Sequence, residues 1–218
     1  MNIPFTHGIV QQVLDWTYAK SINGYAGADS AFALANNYLK GEGSLEQKVD
    51  SLIRWQVTKA ATSGAVTGFG GFMTMPFTIP VNVISVVYIQ VRMIAAIAYM
   101  GGHDIRDDKV KSLIYISMAG NGAKELIKDM SLKATERVAT KILTNISAKT
   151  VNAVEQKTGS KILQKIGLKS AANASKIIPV IGSVVSATFD AAATKAVGEA
   201  AKKIFIKSNI DSIVILKS

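Results

Sequence analysis

The sequence predicts an all-α fold, a single-domain helical bundle over residues 1–218, built around an apolar helical hairpin that glycine and proline interrupt. Apolar residues recur at spacings of three and four along most of the chain, the period of helices that bury one face. The stretch from Lys59 to Gly102 carries no charged residue between Lys59 and Arg92, and Gly64, Gly68, Gly70, Gly71, Pro76 and Pro80 divide it. A run that apolar has to be hidden from water, in a protein core or in lipid. A chain of 218 residues suits one sizeable core, and no stretch separating two cores is visible.

Gly8 to Ile22 places Ile9, Val10, Val13, Leu14, Trp16 and Tyr18 on a helical period that Asn23-Gly24 ends. Ala28 to Lys40 reads as a second, shorter helix, stopped by Gly41-Glu42-Gly43. Ser44 followed by Gln47 fits a capping box, in which each side chain satisfies a backbone amide at the start of the next helix. That third helix runs from Leu45 through Leu52, Ile53, Trp55 and Val57 into the apolar stretch. In a continuous helix Gly64, Gly68 and Gly71 fall on one side and permit close approach of another helix, while the loss of ~1 kcal/mol per glycine relative to alanine also allows a break near Phe69 to Phe72. Pro76 to Pro80 forces a turn, because proline lacks an amide hydrogen and disfavours helical geometry in the residue before it. The second arm of the hairpin then spans Val81 to Met100.

After Gly101-Gly102, His103 to Asp108 reads as a polar loop and the acidic start of a helix, where carboxylates meet the positive end of the helix dipole. Lys109 to Ala119 is that helix, with Val110, Leu113, Ile114 and Ser117 on one face and Gly120-Asn121-Gly122 interrupting it. The helical pattern resumes from Ala123 to Thr158, with a break near Ser131 or Ser147. Ile177-Ile178-Pro179 opens a second apolar segment, in which Ile178-Pro179-Val180 and Ser183-Val184-Val185 echo Ile79-Pro80-Val81 and Ser85-Val86-Val87. Two small-residue helices, each launched by Ile-Pro, are suited to packing on one another. Asp190 in the second pairs with Arg92 or Lys195 on this reading, and Arg92 with Asp190 is the expected buried polar pair. The tail, Ser208 to Ser218, docks as a strand or a short helix.

Twenty-five Lys and Arg against fifteen Asp and Glu give a net charge of +10, which attracts nucleic acid or an anionic membrane surface. Nucleic-acid binders interleave aromatics with basic residues or present a reading module, whereas the aromatics here sit mostly in the charge-poor first half. A membrane surface is therefore the expected partner, and nucleic acid is not. Lys157, Lys161, Lys165 and Lys169 recur every four residues and drift by only ~40° per step, so a helix continuous through Gly159 and Gly167 aligns them in one stripe. Such a stripe is a solvated face or a contact for anionic lipid, and at ~1 kcal/mol per lysine four give weak, salt-sensitive binding. The arm Val81 to Met100 is long enough to cross a bilayer, for which ~20 residues suffice. Arg92 near its middle, beside Gln90, costs roughly 2.5 to 3.5 kcal/mol on insertion, so a hairpin buried in protein is the expectation.

The absence of cysteine excludes disulfides, thiolate metal sites and cysteine nucleophiles. Two histidines, His7 and His103, exclude a multi-histidine metal site within one chain. His103, Asp104, Asp107 and Asp108 match no calcium loop, and acidic helix capping explains them. The glycines from Gly64 to Gly71 lack the Lys-Ser or Lys-Thr of a phosphate-binding loop. No nucleophile elbow or acid and base pair appears, so no catalytic residue, metal or cofactor is expected and the protein is not read as an enzyme. An enzyme would need polar groups converging around Asn82, Gln90, Arg92 and Asp190. The N-terminus shows no secretory or myristoylation signal and the C-terminus no prenylation box, from which cytoplasmic residence is expected.

The run IRWQVTKAATSGAVTGFGGFMTMPFTIPVNVISVVYIQVRMIAAIAYMGGHDIRDDKV, Ile53 to Val110, resembles the signature region of the EcsC family of bacterial proteins. KIIPVIGSVVSATFDAAATKAVGEAAKKIF resembles that family's C-terminal block. The resemblance is specific at IRWQ, TGxGG, P-x3-P-x-N, Q-x-R-MIAAIA and G-x-D-x-R, while His103 stands where an aromatic such as tyrosine is expected. The family's namesake is encoded beside two components of an ABC transporter in Gram-positive bacteria, and the family supplies no catalytic or ligand-binding residue to carry over. The resemblance implies a bacterial origin and an accessory or interaction role near the membrane. The expected function is that of a non-enzymatic protein, peripheral at the inner face of the cell membrane, contacting an anionic surface or a membrane complex. The alternative is a membrane-inserting or pore-forming protein whose hairpin enters lipid, and the oligomeric state is left open.

Overall fold

The computed structural model describes residues 7–25, 27–62, 81–124, 127 and 179–207. Within them run six α-helices: α1 (His7–Asn23), α2 (Ala31–Leu39), α3 (Leu45–Thr62), α4 (Val81–Met100), α5 (Asp108–Met118) and α6 (Pro179–Lys202). A 3-10 turn at Gly120–Gly122 follows α5, and a π turn at Lys203–Lys207 extends α6. No strand occurs among the described residues, and the fold is all-α as the sequence predicts. The expected hairpin turn at Pro76 to Pro80, the glycine-bearing first arm and the tail lie outside the described residues.

Local chemistry sets the helix boundaries. Ser30 caps α2, its Oγ accepting from the amide of Ala33 at 3.2 Å. The capping box at α3 forms in both directions: the amide of Gln47 donates to Ser44 Oγ at 3.3 Å, and the amide of Ser44 donates to Gln47 Oε1 at 2.8 Å. Asp107 Oδ1 accepts from the amides of Lys109 and Val110 at 2.7 and 3.3 Å and starts α5. Gly43, with φ of +94°, supplies the left-handed residue that reverses the chain between α2 and α3.

The core is organised around α4. From Ile84 to Met100 its side chains are buried, apart from Val86 and Tyr99, which are partly so. It packs against α1, α2, α3, α5 and α6, so a helix apolar nearly all round finds protein on nearly every side. No helix among the described residues is long and apolar enough to cross a membrane. α6 closes over α4 at Thr194, whose Oγ1 accepts from Gln90 Nε2 at 3.0 Å, both groups being buried. One turn further, a Cβ on Gly198 would lie 3.0 Å from both Cγ atoms of Ile53 and 3.2 Å from Met93 Cε. α3, α4 and α6 therefore meet where α6 has no side chain. Lys202 ties the end of α6 to α3, with Nζ 2.7 Å from Asp50 and 3.4 Å from Glu46. Burial alone lowers the affinity of this ammonium for its proton, but the hydrogen bonds and charges of Asp50 and then Glu46 outweigh it and raise the pKa.

On the opposite flank, Asp15 of α1 receives Tyr115 Oη at 2.9 Å and Lys111 Nζ at 2.7 Å from α5. Tyr18 Oη donates to the carbonyl of Ile105 and holds the α4–α5 connection against α1.

That connection carries His103, whose ring meets Phe205 edge-on at 5.3 Å. A Cβ on the neighbouring Gly101 would fall 2.5 Å from the Phe205 carbonyl oxygen, so the chain passes there only as glycine. Burial lowers the His103 pKa below 6.5, against a smaller opposing effect of a hydrogen bond with the Phe205 backbone. The unfolded chain therefore takes up this proton at a higher pH than the folded one. Stability from this group is complete above about pH 6.5 and declines as pH falls through the unfolded value toward the folded one. Urea unfolding at pH 7.5 and pH 5.5 is expected to show a lower midpoint at the acid value, and His103→Phe to reduce the difference.

Candidate functional site

Arg92 is the centre of the buried polar chemistry. It is 3% exposed, and its partners lie on α3 and in the segment before α2. Nη1 donates to the Asp29 carbonyl at 3.1 Å, and Nη2 approaches Gln56 Oε1 at 3.5 Å, the long limit of a hydrogen bond. The guanidinium carbon lies 5.5 Å from the ring centroid of Tyr88, one turn earlier on α4. Both oxygens facing Arg92 are neutral, and among the described residues no carboxylate lies within ion-pair distance of it. Arg92 Nε and Gln56 Nε2 are buried with no hydrogen-bond partner among the described residues. Each unsatisfied buried donor costs about 1 to 3 kcal/mol, more for a charged group.

The charge of Arg92 reaches the rim of the site. Lys59, one turn beyond Gln56 on α3, has its pKa lowered by burial first and then by Arg92, with Asp29 opposing. Burial raises the pKa of Tyr38 on α2 and Arg92 moderates the shift. Tyr88 is raised by burial, moderated by the charge of Arg92, with Asp29 adding to the rise. The cluster thus joins a buried cation to an exposed one across the α3–α4 contact.

The outer face of α3 continues from Lys59 to Trp55. Trp55 is 54% exposed, and Lys59 Nζ lies 5.9 Å from its ring centroid. Arg54 is exposed beside it, its Nη2 bonded to Ser51 Oγ at 2.9 Å. No Asp or Glu occurs from Ser51 through His103.

Of the residues singled out in the sequence, Lys157, Lys161, Lys165 and Lys169 lie outside the described residues. Asp190 is partly buried on α6 and is not among the described partners of Arg92. The helical register explains this. Gln90 turns toward Thr194 on α6, and a residue two positions on is rotated by ~200°, so Arg92 faces α3 and the α1–α2 connection instead. Gln90 and Arg92, two of the groups an enzyme site was expected to gather, consequently address different helices. Gln56 entered only within the IRWQ element, Trp55 there and in the apolar run of the third helix, neither with a role assigned, and Asp29 was not singled out. Gln56 has a readable signal, since it falls on the same face as the buried Leu52 and Ala60 of α3. The Asp29 carbonyl, a backbone acceptor, has none.

An all-α protein with a buried guanidinium beneath a basic, tryptophan-bearing helix face is the class that fold and site define. The EcsC protein family model matches residues 39–207, and the chain belongs to that family. The match includes α3 to α6 in full, with Gln56, Lys59 and Arg92, while Asp29 and Tyr38 precede it. No curated protein and no solved structure matches the chain.

Proposed function

We propose that the protein is a non-enzymatic bacterial accessory or interaction protein that associates peripherally with an anionic membrane surface or with a membrane complex such as an ABC transporter. The observation that carries the reading is the distribution of charge. Residues 128–178 hold ten Lys and Arg against three Asp and Glu, and residues 51–103 hold three Lys and Arg and no acid. Trp55 stands exposed in the acid-free span with Arg54 and Lys59 beside it, a combination suited to the headgroup region, where an indole places its apolar body inward and its N–H in water. Burial of α4 on nearly every side supports surface association over insertion.

The test uses the fact that the chain has two tryptophans. Trp16→Phe leaves Trp55 as the reporter. Fluorescence of this variant is expected to be quenched by brominated lipid in anionic vesicles and unchanged with neutral ones. Absence of any binding to anionic vesicles at low salt overturns the proposal. The alternative of membrane insertion rests on the long uncharged run after Lys59, and release of an entrapped dye from the same vesicles would favour it.

A further inference from the structure

The geometry points to an oxyanion-binding site, for a phosphate or carboxylate group, at Arg92 and Gln56 where α3 and α4 meet behind the α1–α2 connection. Both side chains are at least nine-tenths buried, at 3% and 0% exposure. Both present N–H groups without an acceptor among the described residues, Arg92 Nε and Gln56 Nε2. Neither atom accepts a hydrogen bond, so an acceptor is what completes them. Arg92 also carries a full charge that the Asp29 carbonyl and Gln56 Oε1, both neutral, do not balance. Buried charges are stable when paired, and a guanidinium offers a planar fork matched to carboxylate and phosphate oxygens.

Access follows from the neighbours. The carbonyl that holds Nη1 belongs to Asp29, an exposed residue of the connection, so the guanidinium bonds directly to a residue that reaches solvent. Lys59 is exposed on the adjoining turn of α3, within electrostatic reach of Arg92. An oxyanion at this edge takes hydrogen bonds from Arg92 and Gln56 and is met from outside by Lys59, which also relieves the repulsion between the two cations. The opposing charge is the Asp29 carboxylate, which is exposed and so screened by salt. The same chemistry fits the headgroup phosphate of an anionic lipid or a free phosphorylated or carboxylated solute. The inference does not depend on the membrane reading, because a soluble anion can fill the site.

The deciding experiment is a titration of the full chain, labelled with nitrogen-15, followed at the arginine Nε–H and glutamine side-chain resonances. The chain has four arginines, so the Arg92 signal is assigned by its disappearance in Arg92→Lys. Inorganic phosphate at constant ionic strength is one arm, and a short-chain phosphatidic acid below its micelle concentration is the other. Saturable shifts of Arg92 Nε–H and the Gln56 amide are expected, with binding weakened about tenfold or more in Arg92→Lys, where the fork is lost, and unchanged in Arg106→Gln. Tighter binding of the lipid identifies the headgroup as the source, and equal binding identifies a free anion. Unchanged resonances with both probes at millimolar concentration overturn the site, as does undiminished binding by Arg92→Lys. If that variant does not fold, the wild-type titration decides. Failure here leaves the vesicle result intact, and the reverse holds as well.

Discussion

Replacing Gly198 with leucine is expected to lower stability by about 1 to 3 kcal/mol, the range for overpacking a closed core. The reason is the junction of three helices. A Cβ at this position already lies 3.0 Å from two carbons of Ile53, a β-branched side chain with little rotamer freedom, so the remaining atoms of leucine have to displace α3 or α4. Alanine is a different case in degree. Its single methyl meets the same two Ile53 carbons at 3.0 Å and the flexible end of Met93 at 3.2 Å, contacts that a shift of a few tenths of an ångström relieves, and its helix propensity exceeds that of glycine by ~1 kcal/mol, which offsets that shift. Gly198→Ala is therefore expected to remain close to wild type. For a domain of this size the leucine variant translates into a melting temperature lower by roughly 2 to 12 °C. Thermal and urea melts of the pair measure it, and a leucine variant as stable as wild type contradicts the three-helix junction.

Converting Lys157, Lys161, Lys165 and Lys169 together to glutamine is expected to weaken partitioning onto anionic vesicles by about a thousandfold. Each lysine near such a surface contributes ~1 kcal/mol, so the loss of four amounts to about 4 kcal/mol and three factors of ten. The effect should shrink as salt rises, because screening removes the same interaction in the wild type. Binding isotherms on vesicles of fixed anionic content supply the measurement. A change smaller than tenfold at low salt removes the lysine stripe as the contact and leaves the Trp55 face to account for any binding that remains.

The features read well from sequence are those written in local chemistry. The Ser44 and Gln47 box is local, and both of its hydrogen bonds form. Val81 to Met100 has no charge except Arg92, and a helix so composed is buried nearly all round. The register between helices is harder to read. Arg92 and Asp190 were expected to meet because both are polar groups in apolar helices, yet the two residues from Gln90 to Arg92 turn the guanidinium away from α6. Trp55 was grouped with Leu52, Ile53 and Val57 as part of an apolar run, but the face that α3 buries passes through Val49, Leu52, Ile53, Gln56 and Ala60. A glutamine is buried on that face, and the tryptophan is left outside. The acceptor that Asp29 provides for Arg92 is a backbone oxygen, for which no residue type is a signature.

The proposed membrane association rests on the charge excess of +10, and the buried position of α4 favours electrostatic attachment over insertion within that proposal. Flotation with neutral and anionic vesicles, followed by a high-salt wash and then detergent, measures this most directly. Peripheral association predicts that the protein floats with anionic vesicles alone and that salt releases it. Retention through the salt wash with release only by detergent, or no flotation at low salt, contradicts it.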